Sequence, residues 1–315
     1  MEKTEFIKRR KTLCQKLVDQ SFALFASGQA KHKSLDQNFR YFPDRNFYYL
    51  TGLKREKFIL LLAKNKLAKL EYIFIEEPSD YATKWLGKRL TKEEVSEISG
   101  IDTKHILYLK EFDEFIGNKF LLDSRKLLLE NLPNFIYLDL FRTTYMKEPI
   151  SMEYFGKIIN NYPELSIKDV NQLVSDMRRV KTEAEIKEIK KAVEYTKNGI
   201  YSILDYAKPN INERELEATF EYNIKLAGSS GMSFDTIVAS GKNATVLHYT
   251  ENNQTINDSD LVLLDLGAYS NEYAGDISRT FPVNGKFTKK QKEFYQLVLD
   301  VNKATINQVN PGIFV

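Results

Sequence analysis

Residues 260–281 constrain the fold more than any other segment, because they have the pattern of a β-hairpin with one carboxylate in each strand. Residues 261–268 are apolar except for Asp265, and such apolar runs are typical of buried strands. Residues 272–281 predict the second strand and carry Asp276. Two acidic side chains therefore lie in an element whose remaining composition predicts burial.

The spacing of the two aspartates predicts that they face each other. A turn centred on Ser270 and Asn271 would place Asp265 directly opposite Asp276, on one face, with Cβ atoms about 5 Å apart. Like charges in that arrangement are unfavourable unless a cation lies between them. Two-metal hydrolytic centres use carboxylates in this way, with ions about 3.5–4 Å apart. A pair of solvated aspartates on an edge strand is the alternative, but the apolar run around Asp265 favours the metal site.

Composition places the chain among ordinary globular proteins. Its 315 residues have room for about two domains. With 46 basic and 43 acidic residues, the net charge of +3 predicts neither a nucleic acid nor a membrane as partner. The single cysteine, Cys14, excludes an intrachain disulfide and suits a reducing compartment. The N-terminus lacks the apolar core of a signal peptide, and the apolar run 58–63 is too short to span a membrane, so we expect a cytoplasmic protein.

Strands and helices are mixed in the first half of the chain, which predicts an α/β or α+β domain. An amphipathic helix opens the chain, a capping box at Thr91 opens a helix that stops at Gly100, and another helix covers 152–161. The strand-like runs, two of which form a hairpin around Asn65 and Lys66, are 22–26, 46–52, 57–64, 70–77, 120–125 and 135–140.

A domain boundary is expected near residues 160–166, which gives domains 1–165 and 166–315. Capping boxes at Thr182 and Thr288 predict long helices in the second domain. The predicted helices there are 182–209, 212–228 and 288–309, and strands are predicted at 234–240 and 246–249, ahead of the hairpin.

His248 is the one histidine of three that invites a functional interpretation. His32 and His105 have no obvious partner in sequence and are interpreted as structural or surface residues. His248 ends the predicted strand 246–249, where it would serve as a metal ligand, a proton donor or a substrate anchor. Its spacing alone favours neither a functional nor a structural role. Phosphate-binding loops and the Gly-x-Ser-x-Gly motif are absent, so the sequence supports neither phosphate cradling nor a serine nucleophile.

Several segments together carry a resemblance to a known family. In the second half they are 234–244 (FDTIVASGKNA), 247–249 (LHY), 260–268 (DLVLLDLGA) and 276–287 (DISRTFPVNGKF). In the first half they are 42–52 (FPDRNFYYLTG) and 85–89 (WLGKR). Over essentially its whole length the chain resembles the Xaa-Pro aminopeptidase (aminopeptidase P) and prolidase group of pita-bread metallopeptidases. The resemblance implies a creatinase-like N-terminal domain followed by an incomplete pita-bread metallopeptidase domain.

The resemblance assigns roles to five residues. Asp265 and Asp276 match the family's two aspartate ligands to metal. His248 matches the histidine that contacts substrate and that steadies the intermediate or helps to move a proton. Trp85 matches a motif that in some oligomeric members reaches a neighbouring subunit's active site, although a lone tryptophan is more often a packing residue. Phe234 would line the floor of the substrate pocket, with ordinary core packing as an equal alternative.

The resemblance also implies cofactors and substrates. Two divalent metal ions are expected, with manganese favoured by the oxygen-rich ligands and cobalt or zinc as alternatives. The substrates would be peptides with proline at the second position, and a homodimer is implied by the family alone. The family's other ligands, a histidine and two glutamates, lie beyond the matched region, and no histidine follows His248 here. We therefore expect an Xaa-Pro aminopeptidase chain that is truncated and inactive as given. A prolidase, which cleaves dipeptides, and a non-catalytic pita-bread binding protein are the alternatives.

Overall fold

The computed structural model describes residues 1–66, 69–79, 83–85, 87–121, 132–145 and 148–313. The chain divides into two compact units, Met1–Lys181 and Thr182–Val315. Among the described helices, none combines the length and the apolar character that crossing a bilayer requires.

The α-helices, numbered along the chain, are α1 (Lys3–Lys16), α2 (Arg45–Thr51), α3 (Lys92–Ser99), α4 (Phe112–Glu114), α5 (Ile150–Asn161), α6 (Asn171–Arg179), α7 (Glu183–Tyr206), α8 (Glu213–Leu226) and α9 (Lys289–Gln308). Shorter helical turns are the 3-10 segments Thr103–His105, Leu109–Glu111 and Gly241–Thr245 and the π-helical segment Phe115–Leu121. The capping boxes predicted at Thr91, Thr182 and Thr288 are present, with both reciprocal hydrogen bonds, at the starts of α3, α7 and α9.

The strands are β1 (Ser21–Ala26), β2 (His32–Ser34), β3 (Gln37–Asn38), β4 (Ile59–Lys64), β5 (Lys69–Ile75), β6 (Ile106–Tyr108), β7 (Phe135–Leu138), β8 (Ser166–Asp169), β9 (Ile237–Ser240), β10 (Leu261–Leu266), β11 (Tyr269–Ser270), β12 (Tyr273–Ala274) and β13 (Ile277–Pro282). The hairpin predicted around Asn65 and Lys66 is confirmed, because β4 and β5 pair antiparallel with Lys64 opposite Lys69.

The first unit is built on a mixed sheet of six strands in the order β6-β5-β4-β1-β7-β8. Both faces of this sheet are covered, which explains why β1 and β4 are almost continuously buried instead of alternating. On one face, α1, α2 and α3 contribute core residues such as Leu13, Leu50 and Val95. On the other face, Phe120 and Phe155 pack from the π-helical segment and from α5. The predicted boundary after residue 165 lies before β8 and α6, which belong to this unit.

One predicted strand of the first unit is wrong. Residues 46–51, predicted as an aromatic strand, form α2 instead. The helix starts where the Asp44 carboxylate accepts a hydrogen bond from Phe47 N at 2.8 Å, and it ends at Gly52, whose φ of 71° is left-handed. The predicted strand 120–125 begins at Phe120, which is π-helical, and its residues 122–125 lie outside the described residues.

The second unit packs α7 and α8 against an antiparallel sheet of three strands in the order β13-β10-β9. Burial alternates along β10: Val262, Leu264 and Leu266 enter the core, whereas Leu261, Leu263 and Asp265 are half-buried on the opposite face. The strand predicted at 246–249 is wrong, because residues 241–245 form a 3-10 helix and residues 246–248 continue it as a bend and a turn. The alternation leaves Asp265 on the face of the sheet that points away from the helices.

Candidate metal centre

The turn of the hairpin is centred one residue later than predicted, which shifts the cross-strand pairing by two residues. Asp265 pairs with Ser278, not with Asp276, and Ser270 pairs with Tyr273. The turn therefore consists of Asn271 and Glu272, both with left-handed φ (45° and 67°), as a tight type I′ hairpin turn requires. The predicted direct pairing of the two aspartates is wrong. Asp276 lies two residues before the partner of Asp265, so the two carboxylates share a face as diagonal neighbours.

Two glycines set the geometry between the aspartates. The pairing of β10 with β13 ends at Leu266 and Ile277. Beyond Gly267 and Gly275, β11 and β12 pair and continue the hairpin. A Cβ on Gly267 would lie 1.9 Å from the carbonyl oxygen of Gly275, which no side chain can tolerate. A Cβ on Gly275 would lie 2.6 Å from Thr196 Oγ1 of α7. The glycine pair therefore permits a close approach of the hairpin to α7, and Asp276 follows directly from it.

Helix α7 holds the tip of the hairpin through three side chains. Ser270 Oγ donates to Glu188 Oε2 at 2.6 Å and Tyr273 OH donates to Glu185 Oε1 at 3.0 Å. Ala268 N donates to Thr196 Oγ1 at 3.0 Å. Burial works against the ionised form of Glu188, but the hydrogen bonds from Ser270 and Asn271 outweigh it and lower the pKa of this carboxyl. The hairpin that carries the aspartates is thus fixed to a rigid helix.

The two aspartates repel each other at this site. Ser278 Oγ donates to Asp265 Oδ1 at 3.1 Å, and Asp265 is half-buried while Asp276 is exposed. Desolvation first, and then the charge of Asp265, raise the pKa of Asp276, which also shares a hydrogen bond with that carboxyl. Within the part of the chain that the structure describes, no group of three or more potential metal ligands forms. The site therefore offers two carboxylates, all-oxygen ligands that suit a hard divalent cation.

His248 lies on an exposed turn of the second unit. The turn follows the 3-10 helix Gly241–Thr245 and is flanked by Leu247, which is 89% exposed, and by the buried Tyr249. Sequence reasoning missed the residue that anchors this turn, Glu213. It occupies the first position of α8, where an acidic residue is ordinary, so no motif marks it as a buried anchor.

The two remaining predicted site residues differ in exposure. Phe234 is half-buried in the second unit, three residues before β9. Trp85 belongs to the first unit and is 74% exposed. The structure thus brings Asp265 and Asp276 together and leaves Trp85 accessible on the surface of its own unit.

Comparison with known proteins agrees with the two-unit architecture. Residues 6–128 match the model of the aminopeptidase P N-terminal domain, and residues 187–315 match metallopeptidase family M24. The Xaa-Pro aminopeptidase of Haemophilus influenzae is 31% identical over 315 residues, covering 99% of this chain and 68% of the relative. That of Escherichia coli is 29% identical, covering 99% of this chain and 69% of the relative. The chain is therefore shorter than these relatives.

Solved structures of aminopeptidase P have the same fold as this chain. A Bacillus anthracis structure assigned to aminopeptidase P superposes with a TM-score of 0.93 at 38% identity, covering 99% of this chain and 73% of that one. Zinc-substituted E. coli aminopeptidase P, solved in complex with product, superposes with a TM-score of 0.86 at 28% identity, covering 99% and 69% of the two chains. The predicted fold class, a creatinase-like domain followed by part of a pita-bread domain, is confirmed. Fold and family match together place the chain in a metallopeptidase family. More specifically, the chain belongs to the aminopeptidase P group of family M24.

Proposed function

We propose that this chain supplies the substrate histidine and two of the metal ligands of an enzyme that hydrolyses the bond between an N-terminal residue and a following proline. The proposal rests on the pair Asp265 and Asp276, two carboxylates on one face of a hairpin that hydrogen bonds fix to α7. Two relatives are named Xaa-Pro aminopeptidases, and one E. coli aminopeptidase P structure contains the inhibitor Pro-Leu. The substrate class of the proposal rests on those relatives.

Each residue has a defined part in this proposal. Asp265 and Asp276 would hold divalent metal, two ions in the complete site, with manganese the first choice because both ligands are carboxylates. A bound ion supplies the Lewis acidity that activates a peptide carbonyl and lowers the pKa of water. His248, exposed on its turn, would donate a hydrogen bond to the substrate or to the oxyanion that develops on it. Phe234 would contribute apolar contacts to the peptide, and Trp85, as in some oligomeric members of the family, would reach the active site of a neighbouring subunit.

We also propose that the 315-residue chain is inactive by itself. Its described residues bring together only two metal-ligating side chains, whereas catalytic sites normally use three or more protein ligands. No histidine follows His248 in the sequence, so a further imidazole ligand cannot come from residues 249–315. Weak metal binding without turnover is the expected behaviour.

Manganese titration tests the site. Binding is followed by loss of the EPR signal of free Mn²⁺, first with the chain and then with an Asp265→Asn, Asp276→Asn double variant. Weak binding that disappears in the double variant is expected. Asp258→Asn is the matched control, since it removes one exposed carboxylate just before β10 and should leave binding unchanged. Binding that survives the double variant would exclude these residues as ligands.

Peptide cleavage tests the activity. The chain is incubated with Mn²⁺ and with Xaa-Pro dipeptides or longer Xaa-Pro peptides, and released amino acid is measured. No release is expected from either substrate class. Metal-dependent release would show that two carboxylates suffice, and its distribution between dipeptides and longer peptides would separate a prolidase from an aminopeptidase.

A further inference from the structure

A fully buried carboxylate, Glu213, lies beneath the turn that carries His248. The side chain is 0% exposed and accepts five hydrogen bonds. Oε1 accepts from Ser240 N at 2.7 Å, Ser240 Oγ at 2.7 Å and Asn243 Nδ2 at 3.2 Å. Oε2 accepts from Tyr249 OH at 2.8 Å and Gln254 N at 3.0 Å. These contacts satisfy the buried charge without any metal or counter-cation.

Only an ionised carboxylate fits these donors. Each oxygen of Glu213 faces a backbone N–H, that of Ser240 on one side and that of Gln254 on the other. A backbone N–H can only donate. A glutamine side chain in this position would therefore place its NH₂ group, itself a donor, next to one of the two backbone N–H groups in either orientation of the amide. The hydrogen bonds from Ser240, Gln254 and Tyr249 outweigh the burial and lower the pKa of Glu213.

The donors bracket His248 in the chain. Ser240 and Asn243 precede it, on either side of the start of the 3-10 helix, while Tyr249 and Gln254 follow it. Tyr249 is the immediate neighbour of His248, and its phenol is tied to Glu213 at 2.8 Å. One carboxylate therefore connects both ends of the segment 240–254 to the rigid start of α8.

A second anchor acts on the same segment without reaching its histidine end. The buried Asn252 accepts from Val238 N at 2.9 Å and donates to Thr236 O at 2.8 Å, which holds the end of the segment against β9. Loss of the Glu213 contacts should therefore loosen residues 241–250 while the sheet and α8 stay folded.

We propose that Glu213 is a positioning residue for His248: its carboxylate, acting chiefly through Tyr249, fixes the turn so that the imidazole is held ready for the peptide. The inference rests on the substrate-binding role proposed for His248. It adds a residue that touches neither substrate nor metal and that lies outside the acidic pair.

The test uses the 315-residue chain itself. Glu213→Gln is compared with wild type by amide hydrogen exchange and by NMR of ¹³C,¹⁵N-labelled histidines, with His248 assigned by a His248→Gln variant. We expect amide exchange within residues 241–250 to become about tenfold faster, the effect of losing a charge-assisted hydrogen bond. The His248 ring signals should sharpen and move to the shifts of a free histidine, while the signals of His32 and His105 serve as internal references.

The matched control is Glu215→Gln on the same helix. Glu215 is exposed and accepts from Asn212 N at 2.9 Å, a capping-box bond that glutamine can also accept. This variant should change neither the exchange of 241–250 nor the His248 signals. If Glu213→Gln does not fold, Tyr249→Phe keeps the carboxylate and removes only the phenol contact, and it should give the same change in the His248 ring signals with a smaller change in exchange.

Unchanged His248 signals and exchange in a folded Glu213→Gln chain, or in Tyr249→Phe, would overturn the inference. Neither readout uses metal or peptide, so this failure is distinct from that of the proposed function. If Glu213→Gln changes the exchange and the His248 signals as expected but Mn²⁺ does not bind at Asp265 and Asp276, only the proposed metal site is contradicted.

Discussion

Gly275→Ala would force the hairpin that carries the acidic pair against α7. The new Cβ would lie 2.6 Å from Thr196 Oγ1 and 2.9 Å from the carbonyl oxygen of Ala192, both in α7. The φ of Gly275 is not left-handed, so alanine is allowed by the backbone and the conflict is with the helix alone. Because the Ala192 carbonyl belongs to the helix backbone, the hairpin itself has to move away, and Asp276 moves with it.

The cost can be estimated from the contacts that are lost. Overpacking a buried contact costs about 1–3 kcal/mol. Displacing the hairpin also breaks the bond from Ala268 N to Thr196 Oγ1, which adds about 0.5–1.5 kcal/mol. We therefore expect the opening free energy of β10 and β13 to fall by about 2–4 kcal/mol. Native-state hydrogen exchange of the peptides covering these strands measures that free energy locally.

A double-mutant cycle refines the test. Thr196→Ala alone leaves Ala268 N without its acceptor. In the double variant, Thr196→Ala also removes the atom nearest to the new Cβ of residue 275. The stability lost by the double variant should therefore be about 1 kcal/mol smaller than the sum of the losses of the two single variants. Gly156→Ala in α5 is the control, because its Cβ would meet only Met152 Cε at 3.9 Å and it should stabilise that helix by about 0.5–1 kcal/mol. A Gly275→Ala chain within about 0.5 kcal/mol of wild type would refute the steric reasoning.

Three further predictions concern single side chains. Ser270→Ala removes a hydroxyl donor from the buried Glu188, so denaturant unfolding of the second unit should show a loss of about 1–3 kcal/mol. Because hydrogen bonds lower the pKa of Glu213 in the folded state, its contribution to stability is present above the usual glutamate pKa and is lost as the pH falls through the folded value. The stability difference between wild type and Glu213→Gln should thus shrink below about pH 4, as measured by urea unfolding across pH, and a constant difference would contradict it. Trp85→Ala should change stability by no more than about 0.5 kcal/mol, because the side chain is 74% exposed; a larger loss on thermal unfolding would assign Trp85 to packing.

Local signals predicted the starts of three helices correctly. The capping boxes at Thr91, Thr182 and Thr288 each involve residues four apart at most, so the sequence contains everything that their geometry needs. The apolar run 261–268 likewise predicted β10, which covers Leu261–Leu266. The family was predicted from the resemblance, which also assigned the two aspartates of the hairpin to a metallopeptidase site.

The errors arose where capping residues outweighed side-chain propensity, or where the deciding contact is distant in the sequence. Residues 46–51 have strand-forming aromatics, but the Asp44 cap and the left-handed Gly52 make them helical. The hairpin register shifted because Glu272 accepts a left-handed φ, which is unusual for a residue other than glycine, asparagine or aspartate. The turn around His248 replaced a predicted strand because its hydrogen bonds go to the distant Glu213. Such long-range acceptors have no sequence pattern.

The buried glutamates explain how a repulsive pair of aspartates and an exposed histidine are held in place before any ligand arrives. Glu185 and Glu213 lie in the first turns of α7 and α8, where the helix dipole favours a negative charge, and Glu188 lies one turn further into α7. Each uses that position to accept hydrogen bonds from a segment that carries a site residue: the hairpin tip for Glu185 and Glu188, the His248 turn for Glu213. Their substitution should therefore loosen the site without altering any proposed ligand, which separates the orientation of the site from its chemistry.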